Sequence, residues 1–536
     1  MGGLDRGAGR GSGEAAFLTK VLSCGTQRSK RLKEQFITRR RLLAVLGVSS
    51  AGTLLAACAA ATPTPAPAKP AAPAAPAAPA APAAPAPTAT TAPAKPAEAP
   101  KPAAAPAKAG ASGKVFWLVR STPQENKGQE TIFEPAIKAA HPGIQIERVI
   151  VPGAQYIPKI NSMAAAKESL EIWGFGGNYF DYWARGLPQD VTSYIKGDNW
   201  DVDKYFGQGL MDVYKIRGKW YGVAQLTTYG SIMVFNRNMF DKAGLKAPPV
   251  KWDDKEWNYD LQLAHATKMT SNYGRPDATY GLRAREWAEM TSWPYKWGGD
   301  AWEAGHYTDT IAQKTKFNTP EVIESHQYLQ DLIWKHKVQA DPGSDQALAS
   351  VQDPFKSGKI GMATDGGWLF WTTSDIKDFK VGYAALPTMK SNKHINFTDF
   401  WIMGRWATNK DGAWAVIRTI STVKTTTDYS VQSGTPPTPR ESVKAWLDSV
   451  SKHSGQSVDD LITLTTGAID PKIAQESPDH LFLQHPKIFT SYQNEVLDPV
   501  KNKQGTAKDV ITKGGKVMDD IIKGIYDQFK DSLPKD

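Results

Sequence analysis

The chain has 536 residues, 41% of them hydrophobic and 10% aromatic, which is too long for one compact core and fits two lobes or domains. Its formal net charge is +10, but residues 1–57 hold ten Lys and Arg against three Asp and Glu, and residues 58–113 hold four against one. Residues 114–536 therefore carry equal numbers of positive and negative charges, and this neutrality excludes a chain-wide basic surface for DNA or RNA, although not a local patch.

The N-terminal segment has the pattern of an export signal. Residues 39–41 are three arginines, and the moderately apolar run after them, about 15 residues long, is too short for a membrane span. The paired arginines resemble the twin-arginine export signal, and Leu55-Ala56-Ala57-Cys58 resembles the bacterial lipobox. These resemblances imply that residues 1–57 are a signal peptide, removed before a Cys58 that becomes lipidated and anchors the protein to the membrane. The true start of translation stays open, because the stretch before the arginines is long for such a signal.

A linker follows over residues 58–113. Fifteen of the 37 prolines in the chain fall within residues 61–110, and most of their neighbours are Ala or Thr. Proline fixes φ and removes a hydrogen-bond donor, so this stretch cannot form a helix or a sheet and has too few large apolar groups to fold. We expect a disordered but semi-rigid polyproline-II spacer.

Alternating strand and helix patterns begin at residue 114. Residues 115–119 predict a strand, residues 129–140 a helix and residues 144–151 a second strand, which together form a βαβ unit with a parallel sheet. Later patterns predict a strand over 231–236 with a short helix ended by Gly244, a helix that begins with Thr319 at its N-cap and Pro320, and an amphipathic helix over 413–420.

In this order the segments resemble the extracellular solute-binding lipoproteins of ABC importers, in particular the branch that binds sugars and oligosaccharides. The most specific matches are Gly218-Lys219-Trp220-Tyr221-Gly222-Val223, residues 233–236 and 240–245, residues 355–362 and Asp365-Gly366-Gly367-Trp368. Residues 141–144, 151–153, 186–195, 381–387 and 413–414 complete the set, which covers nearly all of 114–536. Leu170-Glu171-Ile172 stands where the family often has Pro-Asp-Val, and Ala224 where it often has Pro.

The resemblance implies an α/β, periplasmic-binding-protein-like fold with two lobes, a hinge and an interlobe ligand cleft. The first lobe would comprise residues 114–227 with 390–428, and the second lobe residues 229–387 with 435–536. The chain would cross between the lobes near residues 226–230, 387–393 and 425–434. Binding of a ligand would then favour the closed arrangement of the lobes.

Tryptophan indicates the ligand class, because all 18 Trp lie after position 113. Aromatic planes cover the C–H faces of pyranose rings, while amides and carboxylates pair with the hydroxyls. The resemblance places Trp368 as a stacking residue in the cleft and Tyr229 at the hinge. Further candidates are Phe175, Asn178 and Tyr179 on the loop after a strand, Gln124 and Glu125 after the first strand, and the weaker Trp371, Trp293, Trp297 and Trp401. Trp117 and Trp414 are predicted to lie in the core.

Residues 114–536 show only weak matches to catalytic, cofactor-binding and metal-binding motifs. Cys24 and Cys58 are the only cysteines, so residues 114–536 contain no disulfide, Cys-ligated zinc or Cys nucleophile. The Gly-rich stretch 174–177 lacks the third glycine of a dinucleotide-binding loop, and His480 and His485 do not share a helix face. Glu286 and Glu289 are spaced as neighbours on one helix face, which does not place two carboxylates across a glycosidic bond. No cofactor or metal is therefore expected.

The sequence predicts a non-enzymatic solute-binding lipoprotein at the cell surface or in the periplasm. Its expected partners are a small-molecule ligand, most simply a saccharide, and the permease subunits of an ABC importer; we expect a monomer that binds no nucleic acid. Peptides, polyamines and glycerol phosphates remain alternative ligands. A surface-anchored carbohydrate-active enzyme and a passive surface adhesin are the alternative functions.

Overall fold

The computed structural model describes residues 110–120, 123–174, 179–207, 209–212, 215–227, 229–285, 289–302, 314–396, 398–476 and 486–530. All of these residues lie within one compact unit, Glu98–Asp536. The predicted signal peptide, Cys58 and the linker up to residue 109 lie outside the described residues. Phe175, Asn178, Glu286, His480 and His485 also lie outside them.

Within the described part of the chain, strands form two larger sheets and two strand pairs. In chain order the strands are β1 (Gly113–Arg120), β2 (Ile144–Val151), β3 (Ile172–Gly174), β4 (Lys215–Ile216), β5 (Lys219–Trp220), β6 (Val223–Thr227), β7 (Ile232–Asn236), β8 (Tyr280–Ala284), β9 (Ile360–Asp365), β10 (Val381–Ala384), β11 (His394–Asn396), β12 (Thr398–Met403) and β13 (Ala474–Glu476). The four groups have the strand orders β2-β1-β3-β12-β6, β10-β7-β9-β8, β11-β13 and β4-β5.

Helices surround both sheets. In chain order they are α1 (Pro123–Gly128), α2 (Glu134–Ala140), α3 (Gly153–Ala166), α4 (Tyr179–Ala184), α5 (Thr192–Gly197), α6 (Val202–Phe206), α7 (Arg237–Lys242), α8 (Tyr259–Met269), α9 (Glu289–Lys296), α10 (Pro320–Trp334), α11 (Pro342–Ala349), α12 (Leu369–Thr372), α13 (Lys410–Ile420), α14 (Val423–Ser433), α15 (Arg440–Ser454), α16 (Val458–Ala468), α17 (Pro486–Tyr492), α18 (Asp498–Lys501) and α19 (Ala507–Phe529). Across the described residues, no helix is both long enough and apolar enough to cross a bilayer.

The first sheet begins with the predicted parallel unit. β1 pairs in parallel with β2 along its whole length and with β3 at Trp117 and Leu118. β12 then pairs antiparallel with β3 and β6, so it lies between two strands from a much earlier part of the chain. The core residues Val115, Trp117 and Leu118 are fully buried, which confirms the prediction of a buried first strand and a core position for Trp117.

The second sheet contains the predicted strand over residues 231–236, observed as β7. All five residues of β7 are buried, as expected for a short apolar run in the middle of a sheet. β7 pairs antiparallel with β9 and β10, and β9 pairs in parallel with β8. The chain passes from the first sheet to the second between β6 and β7 and returns between β10 and β12.

The predicted helices are present, with two differences in detail. The helix expected over residues 129–140 starts earlier, as α1, and passes through a π-helical turn at Gln129–Phe133 before α2. Pro135, at the start of α2, has no amide hydrogen to donate four residues back, which favours such an irregular turn. Thr319 occupies the N-cap position of α10 as predicted, but its side chain makes no capping hydrogen bond. The amphipathic helix α13 buries Trp414, which confirms its core prediction.

A buried carboxylate joins three segments at the amino-end edge of the first sheet. Glu171 is 3% exposed and directly precedes β3. Its side-chain oxygens accept hydrogen bonds from the backbone N–H groups of Phe116 (3.1 Å) and Thr408 (3.0 Å) and from the hydroxyl of Ser169. The backbone N–H of Asn409, the N-cap of α13, lies 3.4 Å away. This one side chain therefore holds β1, β3 and the start of α13 together.

Candidate functional site

A pocket lies where the parallel strands of the first sheet end. Because β1 and β3 run in the same direction, their last residues, Arg120 and Gly174, lie at the same edge of the sheet. The pocket there encloses about 330 Å³ of space, part of which is open solvent. We call it the edge pocket; its lining residues are Trp117, Leu118, Val119, Arg120, Glu125, Gln129, Tyr156, Gly174, Gln225, Asp399 and Trp401.

Tyr156 fixes the floor of the edge pocket. Its hydroxyl donates to the carbonyl oxygen of Gly174 (2.5 Å) and accepts from the N–H of the same residue (3.2 Å). The side chain is 2% exposed, and this burial raises the pKa of the Tyr156 phenol well above its ordinary value. The phenol therefore stays protonated, and its hydrogen bonds hold the end of β3 beside β1.

Charged and amide side chains line one part of the edge pocket. The Arg120 guanidinium lies 3.5 Å from the Glu125 carboxylate, which is mostly buried. Asp399 and the buried Gln129 line the same space, and Arg148 donates to the Gln129 side-chain oxygen at 3.4 Å. Such groups are suited to pairing with the hydroxyls of a polar ligand.

The Gln225 side chain also faces the edge pocket. Its amide oxygen Oε1 is buried, and it has no hydrogen-bond partner among the described residues. A buried amide oxygen without a partner loses the hydrogen bond that it would make in water. A ligand hydroxyl in the edge pocket would restore that hydrogen bond.

An aromatic wall closes the other part of the edge pocket. Trp401, which is 4% exposed, packs edge-on against Trp117 with ring centroids 5.4 Å apart and against Phe133 at 6.3 Å. Gly174 permits this arrangement, since a Cβ at that position would lie 2.5 Å from Cζ3 of Trp401 and 2.7 Å from Oε1 of Gln225. The edge pocket thus combines polar groups with an indole that is packed among other rings and shows little of its surface.

Trp368 lies beyond the end of β9 in the second sheet. Its backbone forms the N-cap of α12, and its indole lies against Gly366, because a Cβ there would come within 2.1 Å of the Trp368 ring. The side chain is half-buried. Trp368 is therefore less buried than the core indoles.

Tyr229 and Trp371 are more buried than Trp368. Tyr229 is 3% exposed and stacks on Trp446 with ring centroids 5.8 Å apart. Trp371 is 9% exposed and packs close to Gly434, where a Cβ would lie 3.0 Å from its own Cβ. Both side chains therefore contribute to the packing around the chain crossings between the sheets.

The remaining candidates lie in different surroundings. Glu125 and Trp401 are brought together in the edge pocket, whereas Gln124 points its side chain to solvent on the first turn of α1. Trp293 on α9 and Trp297 directly after this helix belong to an aromatic cluster, in which both rings pack against Tyr328 of α10. Tyr179 begins α4, directly after residues 175–178, which lie outside the described part of the chain and include Phe175 and Asn178.

Sequence reasoning missed Arg120, Gln129, Tyr156, Gln225 and Asp399. A signal existed for two of them, since Gln225 and Asp399 are single polar residues within the otherwise apolar or β-branched strands β6 and β12. Arg120 carries a weaker signal as the charged last residue of an apolar strand. Tyr156 lies on a helix, and nothing in the sequence distinguishes it from a core tyrosine.

Comparison with known protein families gives a match over most of the folded part. A family model described as a bacterial extracellular solute-binding protein matches residues 122–425, more than half of the chain. Among curated proteins, a binding protein of Brucella abortus strain 2308 is 26% identical over 294 residues, which is 53% of this chain and 66% of that protein. A binding protein of Brucella suis gives the same values, so the match spans just under two thirds of the length of these relatives.

Solved structures show the same fold at low sequence identity. An ABC substrate-binding protein from Listeria monocytogenes in complex with cycloalternan has a TM-score of 0.63 and 18% identity over 77% of this chain and 99% of that one. A solute-binding protein from Thermotoga lettingae bound with α-D-tagatose has a TM-score of 0.60 and 18% identity, covering 77% and 100%. A cyclic α-maltosyl-1,6-maltose binding protein from Arthrobacter globiformis gives 0.59 and 18%, again covering 77% and 100%. These matches confirm the two-lobed α/β fold.

Proposed function

Because the chain belongs to the family of bacterial extracellular solute-binding proteins, we propose that it captures a sugar or oligosaccharide between its two lobes and delivers it to an ABC permease. Membership in this family makes the protein a binding protein and not an enzyme, and places it in the periplasm or at the cell surface. The family therefore disfavours the carbohydrate-active enzyme that the sequence left open.

The edge pocket is the observation that carries the proposal for a saccharide. It sets the indole of Trp401 beside the carboxylate of Glu125 and the guanidinium of Arg120. The Gln225 amide oxygen, which has no partner among the described residues, lies in the same space. The hydroxyl rims of sugars find matching polar groups there, and the small exposed part of the Trp401 indole lies beside them. A peptide or a glycerol phosphate uses an aromatic wall of this kind less fully.

The structural neighbours support a saccharide ligand without identifying it. The ligands in those structures include cycloalternan in the Listeria protein and α-D-tagatose in the Thermotoga protein. These ligands differ in size from a cyclic oligosaccharide to a monosaccharide. The size of the ligand of this chain is therefore a matter for a binding screen.

The anchoring of the protein is also part of the proposal. Cleavage before Cys58 and lipidation of that residue would attach the folded part to the membrane through the Ala- and Pro-rich linker. At about 3.1 Å per residue, a fully extended linker of this length would reach on the order of 150 Å. We further propose that the protein acts as a monomer. Its first lobe would comprise residues 114–227 with 390–428, and its second lobe residues 229–387 with 435–536.

A thermal-shift screen against mono- and oligosaccharides tests the proposed ligand class. A ligand that binds only the folded state raises the melting temperature, and the rise grows with ligand concentration. We expect at least one saccharide to raise the melting temperature, and amino acids, polyamines and glycerol phosphates to leave it unchanged. A rise with one of these other ligands and none with any sugar would contradict the proposal.

Replacing Trp368 by alanine should weaken binding of the saccharide found in that screen. Loss of one stacking indole is expected to cost about 1–3 kcal/mol of binding free energy, or roughly a 5- to 150-fold rise in Kd. Isothermal titration calorimetry measures the change. The control is Trp334→Ala, which removes an indole that is 36% exposed at the end of α10 and should leave Kd unchanged. An unchanged Kd in Trp368→Ala would exclude this residue from the site.

A further inference from the structure

Residues 110–112, which lead into β1, lie at the edge of the first sheet opposite to the edge pocket. Gly113 begins β1, so the residues before it lie at the amino-end edge. The Asn409 side-chain amide donates to the backbone carbonyl of Ser112 (2.9 Å) and lies 3.1 Å from that of Lys114. Ala111 packs against the core. The point at which the linker joins the folded part is therefore fixed next to Asn409.

A second pocket opens at this same edge, with about 250 Å³ of space, part of which is open solvent. We call it the base pocket; its lining residues are Ile160, Ala164, Glu168, Leu170, Trp173, Leu187, Gly404 and Trp406. The lining is apolar apart from Glu168 and the Gly404 backbone. Trp173 is 2% exposed and Trp406 is partly exposed, while the Glu168 side chain is exposed at the rim. The pocket belongs to neither the edge pocket nor the crossings between the sheets.

The linker attachment and the base pocket are close together. Asn409 holds Ser112, and the neighbouring Thr408 lies with its hydroxyl 3.1 Å from that of Ser169. Ser169 directly precedes Leu170, which lines the base pocket. A polyproline-II chain advances about 3.1 Å per residue, so ten residues span on the order of 30 Å. The last ten or so residues of the linker are therefore long enough to reach across the base pocket.

The composition of that part of the linker matches the pocket. Pro100, Pro102 and Pro106 lie shortly before Gly110, and Lys101 and Lys108 lie among them. Proline-rich segments in the polyproline-II conformation bind grooves lined by aromatic side chains, because the chain is already ordered before it binds.

The charges also match. Glu168 supplies a carboxylate at the rim of the base pocket for one of the two linker lysines. An exposed ion pair of this kind adds little energy, but it favours a basic segment over an acidic one.

We propose that residues 99–109 dock over the base pocket, with their proline rings against Trp406. The linker then is not free up to residue 110, because its last ten or so residues follow the surface of the first sheet. Docking would fix the direction in which the folded part leaves its stalk. It places the stalk at the edge opposite to the edge pocket, so that the proposed ligand site faces away from it.

Limited proteolysis of the full chain tests this docking. Trypsin cleaves poorly when proline follows lysine, and within residues 58–113 Lys69, Lys95 and Lys101 each precede a proline, whereas Lys108 precedes Ala109. Mass spectrometry therefore follows one linker bond, Lys108–Ala109. When cleavage requires undocking, its rate follows the undocked population. We expect Trp406→Ala to raise this rate about tenfold.

A linker variant keeps the test independent of folding. Pro102→Ser combined with Pro106→Ser changes no residue of the folded part and should also raise the cleavage rate, while Trp334→Ala should not. Equal rates in the wild type and in both the Trp406 and proline variants would overturn the proposal. The proposal would also be overturned if Trp406→Ala were cleaved faster than the wild type while the proline variant were cleaved at the wild-type rate. If protection of the Lys108–Ala109 bond disappears when the protein is diluted, the base pocket is occupied by a second copy of the chain. That result would overturn intramolecular docking.

Discussion

Replacing Glu171 by glutamine is expected to lower the free energy of unfolding by about 1–3 kcal/mol. The carboxylate accepts hydrogen bonds from the N–H groups of Phe116 and Thr408 and from the Ser169 hydroxyl, and the side chain is 3% exposed. A glutamine keeps the shape but turns one acceptor into a donor, so buried donors lose their partner. Urea unfolding measures the change.

The control for this prediction is Glu168→Gln, which removes the same charge from an exposed side chain three residues earlier in the sequence. Its effect on the free energy of unfolding should stay within about 0.5 kcal/mol. Equal effects of the two substitutions would show that the hydrogen bonds of Glu171 do not stabilise the fold.

The same side chain predicts a dependence on pH. Burial raises the pKa of Glu171, but the hydrogen bonds from Ser169, Phe116 and Thr408 outweigh burial and bring the pKa below its ordinary value of 4.5. Because the folded pKa is the lower one, the contribution of the carboxylate is complete above pH 4.5 and is lost as the pH falls below that value. The difference in unfolding free energy between the wild type and Glu171→Gln should therefore narrow on acidification. A constant difference would contradict this assignment.

Replacing Gly230 by alanine should be at least as damaging. Gly230 lies in the segment that connects β6 to β7 and has a φ of +50°. A Cβ at this position would lie 1.6 Å from the carbonyl oxygen of Ile395, in the segment by which the chain returns between the sheets. Because both partners are backbone, neither can move without displacing a crossing. We expect a loss of about 4 kcal/mol or more in the free energy of unfolding.

Gly244→Ala is the matched control for the Gly230 substitution. Gly244 also has a positive φ, +63°, but no atom lies within 4 Å of a Cβ there. Its substitution should cost only the backbone strain, about 1–2 kcal/mol. Melting and urea unfolding of the two variants separate strain from collision. Similar losses in both would mean that the two crossings are not packed as tightly as the structure shows.

Local patterns predicted much of the fold. The apolar run of β1, the turn after α2 and the strand β2 are adjacent in sequence, so hydrophobic period and turn residues determined them. The position of β12 between β3 and β6 could not be predicted from local patterns, because it depends on pairing between segments that are far apart in the chain. The resemblance to a known family supplied the two-lobed arrangement that periodicity alone does not contain.

The candidate site was predicted less completely. The excess of Trp indicated an aromatic ligand platform, but Trp residues in the core and in a ligand pocket have the same sequence signature. Trp401 lines the edge pocket, whereas Trp293 and Trp297 pack on α10. Which indole faces a ligand depends on how helices pack on the sheets. The predicted roles of all these candidates, including Trp368, await binding measurements.

Glu171 shows why a departure from a family pattern is difficult to interpret from sequence. It occupies a position where an aspartate is frequent in the resembling family, at the start of a short strand. In the structure, it accepts hydrogen bonds from the backbone of Phe116, in the first strand, and of Thr408, which follows the twelfth. Its function is structural, and only the assembled sheet reveals that.

The most direct test of the proposed function is calorimetric titration of the purified chain with the saccharide that the thermal screen identifies. The sugar is then recovered from the calorimeter cell and analysed by chromatography. The account predicts saturable binding at one site per chain and complete recovery of the sugar in its original form. No saturable binding of any saccharide, or the appearance of cleaved or transferred products, would contradict it.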